Sequence, residues 1–321
     1  MGLLHVGHGE LVRFAEERVN LKRDDATEIR SQASRLRDKL EAYLKEHPDF
    51  ELRKMLLSGS IAKGTALKSI SDIDVACYVS SGSAPHKITD LIEWLAKKLE
   101  KAFPNFKPEQ ITPKTYSIGI KFMSTGNEVD IVPILYSGDP QWRGELISQD
   151  TGEPFMTSIP MHLEFIRARK RANDKHYAQI VRLIKFWCQR RKQEDSDFRF
   201  KSFMVELIIA HLADNGTPLH DYPEALAAFF TYLASDNFKT TIAFNDYYDP
   251  KTCKITTDQI RIWDPVNCEN NVANLYTSLN KTKIFEAALD AGDAIDSAMH
   301  ALNKGETVRY WQKVFGPTFN A

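Results

Sequence analysis

The segment from Leu57 to Val75, which reads LSGSIAKGTALKSISDIDV, constrains this chain more than any other. It places a Gly59-Ser60 turn upstream of Asp72 and Asp74. Two aspartates at positions i and i+2 of a strand point to the same face, about 6.5–7 Å apart along the chain. Carboxylates so close repel each other unless a proton or a cation lies between them, and Mg²⁺ accepts carboxylate oxygens and phosphates together. We therefore expect a cation site where this strand begins.

Gly59 and Ser60 have the chemistry that a triphosphate requires. A glycine offers an unhindered backbone N–H and a serine offers a hydroxyl. The pattern predicts a short helix over 60–67, and anions bind well at a helix N-terminus. Together with Asp72 and Asp74, the turn predicts a site for metal-dependent nucleotidyl transfer.

A third acid, Asp130, interrupts the apolar run EVDIVPIL that begins at Glu128. A carboxylate in a buried strand is costly unless it is paired or bound to a metal. Two-metal phosphoryl transfer requires a further ligand of this kind. A buried aspartate bonded to a loop or an arginine is the alternative. Beside the Gly-Ser turn, the pattern favours Asp72, Asp74 and Asp130 as catalytic residues that also bind metal.

Composition excludes several other classes of protein. Of the 321 residues, 43% are hydrophobic and 26% are charged, and the net charge of −1 gives long duplex nucleic acid no whole-chain electrostatic attraction. No apolar run approaches the ~20 residues of a membrane span, and no signal peptide is recognisable, so we expect a cytoplasmic protein without membrane contact. Cys77, Cys188, Cys253 and Cys268 are too widely spaced in sequence to predict a zinc site or a disulfide framework.

Periodicity along the chain predicts an α+β protein. Helices are predicted over 24–46, 60–67, 87–102, 160–172, 174–193, 202–213, 223–234 and 281–303. Strands are predicted over 52–57, 72–79, 116–123 and 128–136. The pattern indicates a mixed α/β lobe over residues 1–155, which includes the long N-terminal helix, and a helical lobe over 156–321.

Gly59-Ser60, Asp72, Asp74 and Asp130 resemble the catalytic pattern of the polymerase-β-like nucleotidyltransferase superfamily. The variant Gly-Ser-x-Ala-x-Gly-Thr is similar to the branch with archaeal CCA-adding enzymes, oligoadenylate synthases and cGAS/DncV-like nucleotidyltransferases (CD-NTases). Further stretches resemble the helical lobe and C-terminus of that branch, namely 181–187, 201–206, 262–272 and 310–316. Within it, the chain resembles the bacterial CD-NTases of CBASS anti-phage defence.

This resemblance implies a mixed sheet flanked by helices, a helical C-terminal lobe and an active site in the cleft between them. It implies two Mg²⁺ ions on the three aspartates, with Mn²⁺ as an alternative ion. ATP, together with other NTPs, would be joined into a cyclic trinucleotide or dinucleotide second messenger. A HORMA-type regulatory protein is the implied partner. The chain lacks the Cys/His zinc insert of animal cGAS, so activation by duplex DNA through such an insert is not implied.

The resemblance also implies nucleotide-binding roles for three residues of the helical lobe, and each has an alternative. Lys185 corresponds to a lysine that contacts the triphosphate, although its basic helix could simply be a solvated face. Ser202 corresponds to a serine of the nucleotide pocket, although a serine at a helix start is usually a cap. Asp264 is expected to cap a helix after Pro265, with a nucleobase or ribose contact as the alternative.

Three other functions remain open. A template-independent RNA 3′-end nucleotidyltransferase, of CCA- or poly(A)-adding type, is suggested by the basic run at 167–171, but the near-neutral chain lacks an RNA-binding appendage. A small-molecule adenylyltransferase would require an acceptor pocket that no motif indicates. A non-catalytic binding module would have no reason to retain three mutually repelling acids.

Overall fold

The computed structural model describes residues 5–47, 50–69, 73–149 and 151–321, so the predicted site residue Asp72 lies outside the described residues. The α-helices of these ranges are α1 (His8–Phe14), α2 (Arg23–Glu46), α3 (Gly59–Lys63), α4 (Ile88–Ala102), α5 (Ile159–Glu194), α6 (Ser202–Asp214), α7 (Tyr222–Asp236), α8 (Ser278–His300) and α9 (Lys304–Phe315). The strands are β1 (Leu52–Leu57), β2 (Ile73–Ser80), β3 (Ile111–Pro113), β4 (Ile118–Lys121), β5 (Glu128–Tyr136), β6 (Gly144–Ile147), β7 (Pro154–Thr157), β8 (Trp263–Asp264) and β9 (Asn267–Asn271).

The chain divides into two compact units, which are described separately. The first, Leu21–Glu164, contains the main sheet, and the second combines Met1–Asn20 with Phe165–Ala321 and is mostly helical. The predicted α+β architecture, a mixed sheet flanked by helices plus a helical C-terminal region, is confirmed. The assignment of residues 1–155 and 156–321 to a catalytic lobe and a nucleotide-pocket lobe stays a prediction.

The sheet of the first unit is mixed, and its central pair of strands is parallel. Its order is β1-β2-β5-β4-β3, and β6 pairs with the end of β5 and with β7. Strands β2 and β5 run parallel, whereas the other neighbours are antiparallel. A parallel pair requires a crossover, and the connection that contains α4 provides it. The apolar residues Val75–Val79 are all buried, as expected for a central strand covered on both faces.

The two faces of the sheet differ in what covers them. Alternate residues of β2, among them Val75 and Cys77, join the large core formed with α2 and α4. Ala76 and Tyr78, which point the other way, form a smaller cluster with Ile134 of β5. Because side chains alternate along a strand, Asp74 lies on the face of this smaller cluster.

The second unit is held by helix packing and by the ion pairs of a buried arginine. Trp187 of α5 is fully buried and packs edge-to-face on Phe230, so it belongs to the core of this unit. Arg169, also on α5, is buried over the ring of Phe165. Its guanidinium donates to the carboxylates of Asp214, at 2.6 Å, and Asp246, at 2.8 Å. A buried guanidinium requires carboxylate partners of this kind, because burial of an unpaired charge is costly.

Several element bounds differ from those predicted, and the backbone explains why. Helix α3 ends at Lys63 instead of residue 67, because Gly64 adopts φ 72° and caps it. The predicted break between 160–172 and 174–193 corresponds to Asp174, a non-helical residue (φ 50°) inside α5. The helix predicted over 281–303 ends at His300, since Asn303 caps the unpredicted helix α9.

Within the ranges that the structure describes, no helix has both the length and the apolar character needed to cross a bilayer.

Candidate active site

Two of the predicted acids occupy neighbouring positions in the sheet. Asp74 on β2 and Asp130 on β5 are direct partners in the parallel register. Partners in register point to the same side of a sheet, and neighbouring strands lie about 4.8 Å apart. Both side chains are partly accessible, with 21% of the Asp130 side chain exposed. The structure therefore brings these two carboxylates together on one accessible face.

The Gly-Ser turn lies directly against Asp74. Strand β1 ends at Leu57, and the backbone N–H of Ser58 donates to the carbonyl of Asp74 at 2.8 Å. Gly59 has φ +60°, and a Cβ at this position would lie 2.2 Å from Asp74 Oδ2. A left-handed backbone and this contact both require glycine here.

Ser60 is the second residue of α3, so the predicted helix start at the turn is confirmed. Its carbonyl accepts from the N–H of Thr65 at 2.9 Å, which folds the following Gly-Thr pair back on the turn. Thr65 is fully buried. The turn is thus held by backbone bonds at both ends, next to the Asp74 carboxylate.

A lysine that the sequence did not indicate contacts the third acid. Lys114 follows β3, and its Nζ lies 2.6 Å from Asp130 Oδ1 and 2.5 Å from Glu128 Oε1. Partial burial lowers the pKa of Lys114, but the hydrogen bonds and charges of Asp130 and Glu128 outweigh this effect and raise its pKa above the usual value. Lys114 is therefore a cation at the pH of the cell.

The chemistry of these donors fits a divalent cation. Asp74 and Asp130 supply oxygen ligands on one face, and a positive group already contacts Asp130. No cluster of three or more His, Cys, Asp and Glu suited to a metal occurs in the ranges described, which exclude Asp72. A three-carboxylate site hence requires Asp72 to join the pair.

Lys185 lies in the second unit and is not on a solvated face. Its residue exposure is 8%, whereas the neighbouring Arg190 and Arg191 reach the surface and form ion pairs with Glu194. A lysine is rarely buried without a partner or a function. The solvated-face alternative for Lys185 is wrong, and its phosphate role stays a prediction.

The capping alternative for Ser202 and the helix cap expected at Asp264 are also wrong. Ser202 is the exposed first residue of α6, and the helix N-cap is Lys201. No helix begins at Pro265, because Asp264 ends β8 and the chain turns directly into β9. The Asp264 carboxylate, 1% exposed, accepts from the N–H of Val266 at 2.9 Å and from the Asn270 side chain at 3.1 Å. The nucleotide-binding roles of Ser202 and Asp264 stay predictions.

Comparisons with known proteins match this chain to nucleotidyltransferases. The family described as "Nucleotidyltransferase domain" matches residues 36–140. A "Cyclic AMP-AMP-AMP synthase" of Escherichia coli strain MS 115-1 is 55% identical over 319 residues, 99% of each chain.

Solved structures resemble the chain along its whole length. The structure "E. coli MS115-1 CdnC + ATP" has a TM-score of 0.96 and 55% identity, and the match covers 99% of this chain and 100% of that one. The structure "E. coli MS115-1 CdnC:HORMA-deltaN complex" has a TM-score of 0.95 and 54% identity over 99% of each chain. A Vibrio cholerae DncV cyclic AMP-GMP synthase structure, 12% identical with a TM-score of 0.65 over 98% of this chain and 97% of that one, shares the fold.

Both the paired carboxylates and these matches agree with the motif resemblance. The chain is a nucleotidyltransferase with the polymerase-β-like fold. It belongs to the cGAS/DncV-like nucleotidyltransferases (CD-NTases), the cyclic-oligonucleotide synthases of bacterial anti-phage signalling.

Proposed function

We propose that this chain joins ATP molecules into a cyclic trinucleotide, cyclic AMP-AMP-AMP, in the cytoplasm. The register of Asp74 with Asp130, with Gly59 against Asp74, is the observation that carries the proposal. The identity of 55% with a cyclic AMP-AMP-AMP synthase supports the choice of product.

The proposed metal site consists of Asp72, Asp74 and Asp130, which would hold two Mg²⁺ ions or, alternatively, Mn²⁺. When bound, the ions neutralise the triphosphate charge and lower the pKa of the acceptor 3′-hydroxyl. The assignment of Asp72 depends on its spacing from Asp74, since residues i and i+2 of a strand share a face.

The turn beside Asp74 is proposed to bind the donor triphosphate. The Gly59 N–H and the Ser60 hydroxyl would donate to the β- and γ-phosphates, as unhindered donors at a helix start can. Asp130 would orient the acceptor hydroxyl for in-line attack on the α-phosphorus, with pyrophosphate as the leaving group. Repetition of this step, and a final attack within the linear product, closes the ring.

Lys185, Ser202 and Asp264 are proposed to complete nucleotide binding. The support is their match to the family segments and, for Lys185, the burial of a cationic side chain. A buried lysine ammonium would act on phosphates as a point charge.

We also propose a HORMA-domain protein as the regulatory partner. The support is the structure of a relative, 54% identical, described as a CdnC:HORMA-deltaN complex. ATP as the substrate is supported in the same way by the relative solved with ATP.

The test is an incubation of the full chain with labelled ATP and Mg²⁺, alone and with a HORMA-domain partner, followed by phosphatase treatment and mass spectrometry. We expect a phosphatase-resistant product with the mass of a cyclic triadenylate. Asp74→Asn and Asp130→Asn should each abolish it while thermal unfolding shows a folded protein. Turnover that persists in both variants, or label that appears only at the 3′ end of added RNA, would refute the proposal.

A further inference from the structure

Lys114 forms an ion pair with the third acid, Asp130, and the proposed reaction assigns it no role. Its ammonium lies 2.6 Å from Asp130 Oδ1 and 2.5 Å from Glu128 Oε1. Glu128 and Asp130 are two residues apart on β5 and therefore share a face. One lysine thus bridges the proposed metal ligand and its neighbour on the strand.

The sheet provides a path for this lysine across an intervening strand. Lys114 follows β3, and β4 separates β3 from β5. Gly119 of β4 is the register partner of Asp130. A Cβ at Gly119 would lie 3.0 Å from Lys114 Cε and 2.5 Å from Glu128 Oε1. Glycine at this position leaves room for the Lys114 and Glu128 side chains to meet over β4, and a larger residue would force both to shift.

The ion pairs of Lys114 with Glu128 and Asp130 are short but accessible to solvent. The exposed fractions of the Lys114 and Glu128 side chains are 40% and 41%. Ion pairs at such accessible positions contribute little stability and exchange readily with solvent. A divalent ion carries twice the charge of an ammonium and binds carboxylate oxygens directly. It can therefore replace Lys114 at Asp130 without unfolding the hairpin.

We propose that Lys114 is an internal counter-cation for Asp130, which the metal must displace when the site is loaded. This inference rests on the proposed function, because it takes Asp130 as a metal ligand. Lys114 is then a positioning residue: it holds the Asp130 carboxylate in place before metal arrives, and it sets the metal concentration that the enzyme requires.

The test measures Mn²⁺ binding by the full-length chain with Mn²⁺ as the only added ligand, from the loss of the free-ion signal in electron paramagnetic resonance. Lys114→Met removes the competing charge, so the Mn²⁺ dissociation constant should fall about two- to thirtyfold, the range expected for two accessible ion pairs. Lys114→Arg keeps the charge and should stay within about twofold of the wild type. Thermal unfolding checks that each variant is folded.

The matched control is Lys121→Met. Lys121 is exposed and lies opposite Glu128 in the register of the same hairpin, yet no ion pair joins it to an acid among the residues described. We expect its Mn²⁺ dissociation constant to stay within about twofold of the wild type, because the ion pair between Lys114 and Asp130 remains in place. An equal gain in affinity for Lys121→Met, or no gain for Lys114→Met, overturns the inference.

Asp130→Asn separates the two proposals. One outcome supports the metal site but not the role of Lys114: the wild type binds Mn²⁺, Asp130→Asn does not, and Lys114→Met has the same Mn²⁺ dissociation constant as the wild type. If Asp130→Asn binds Mn²⁺ as the wild type does, Asp130 is not a ligand and both proposals fail.

Discussion

Gly59→Ala adds one methyl group at the point where the turn meets Asp74. The new Cβ would lie 2.2 Å from Asp74 Oδ2, whereas ordinary contacts begin at 3.4 Å. The carboxylate would have to move by about 1 Å, and a misplacement of this size costs about 10²-fold in rate. The left-handed backbone at φ +60° adds about 1–2 kcal/mol of strain for a residue with a Cβ.

Gly126→Ala is a matched control for this strain. Gly126 has φ +75° in the turn before β5, and nothing lies within 4 Å of the Cβ position. Both variants should lose about 1–2 kcal/mol in unfolding free energy, measured by urea titration. Only Gly59→Ala should also lose about 10²-fold in cyclic-oligonucleotide synthesis. If both retain wild-type synthesis at equal stability loss, the contact with Asp74 has no part in catalysis.

Two further predictions concern the helical unit. Arg169→Met removes the cation that pairs with Asp214 and Asp246 and should lower the unfolding free energy by about 2–4 kcal/mol. This loss is smaller than that expected for breaking a fully buried ion pair, because Asp214 is partly exposed. Arg171→Met, at an exposed position of the same helix, should stay within about 0.5 kcal/mol of the wild type, and an equal loss there would contradict the role of Arg169. Burial lowers the pKa of His211 and, together with the charge of His8, that of His176, so the folded state disfavours their protonation. The two neutral histidines therefore contribute fully to stability above pH ~6.5, and the unfolding free energy falls as the pH drops below that value. His211→Asn should reduce this fall in unfolding free energy, measured by urea titration at pH 7.5 and at pH 5.5. If His211→Asn loses as much unfolding free energy between pH 7.5 and pH 5.5 as the wild type does, His211 does not cause the pH dependence.

The sequence predicted the long, strongly patterned elements well. Strand β1 and strand β5 have the predicted bounds, and α2 begins one residue before the predicted start. These segments combine clear periodicity with turn residues at their ends, so their bounds are determined by the local sequence. The short strands β6 and β7 were not predicted, because four residues carry too little pattern and their pairing depends on tertiary contacts.

The residues of the candidate site were predictable, but their neighbours were not. Asp74 and Asp130 stood out because acids rarely interrupt apolar strands. The approach of Lys114 depends on the β4–β5 register and on Gly119, neither of which a single sequence reveals. Asp264 was assigned to a helix cap because an Asp-Pro pair is typical of a helix start, whereas here the same residues form the turn between β8 and β9. Glu128, two residues before Asp130, was the one signal that could have indicated a larger acidic site.

The central claim is that Asp74 and Asp130 bind the catalytic metal together. Crystals of the full chain grown with Mn²⁺ and a non-hydrolysable ATP analogue would test it through the anomalous signal of manganese. We expect a peak about 2.0–2.3 Å from carboxylate oxygens of both Asp74 and Asp130, with the analogue's phosphates beside Gly59. A manganese peak that contacts neither aspartate, with the analogue bound elsewhere, would contradict it.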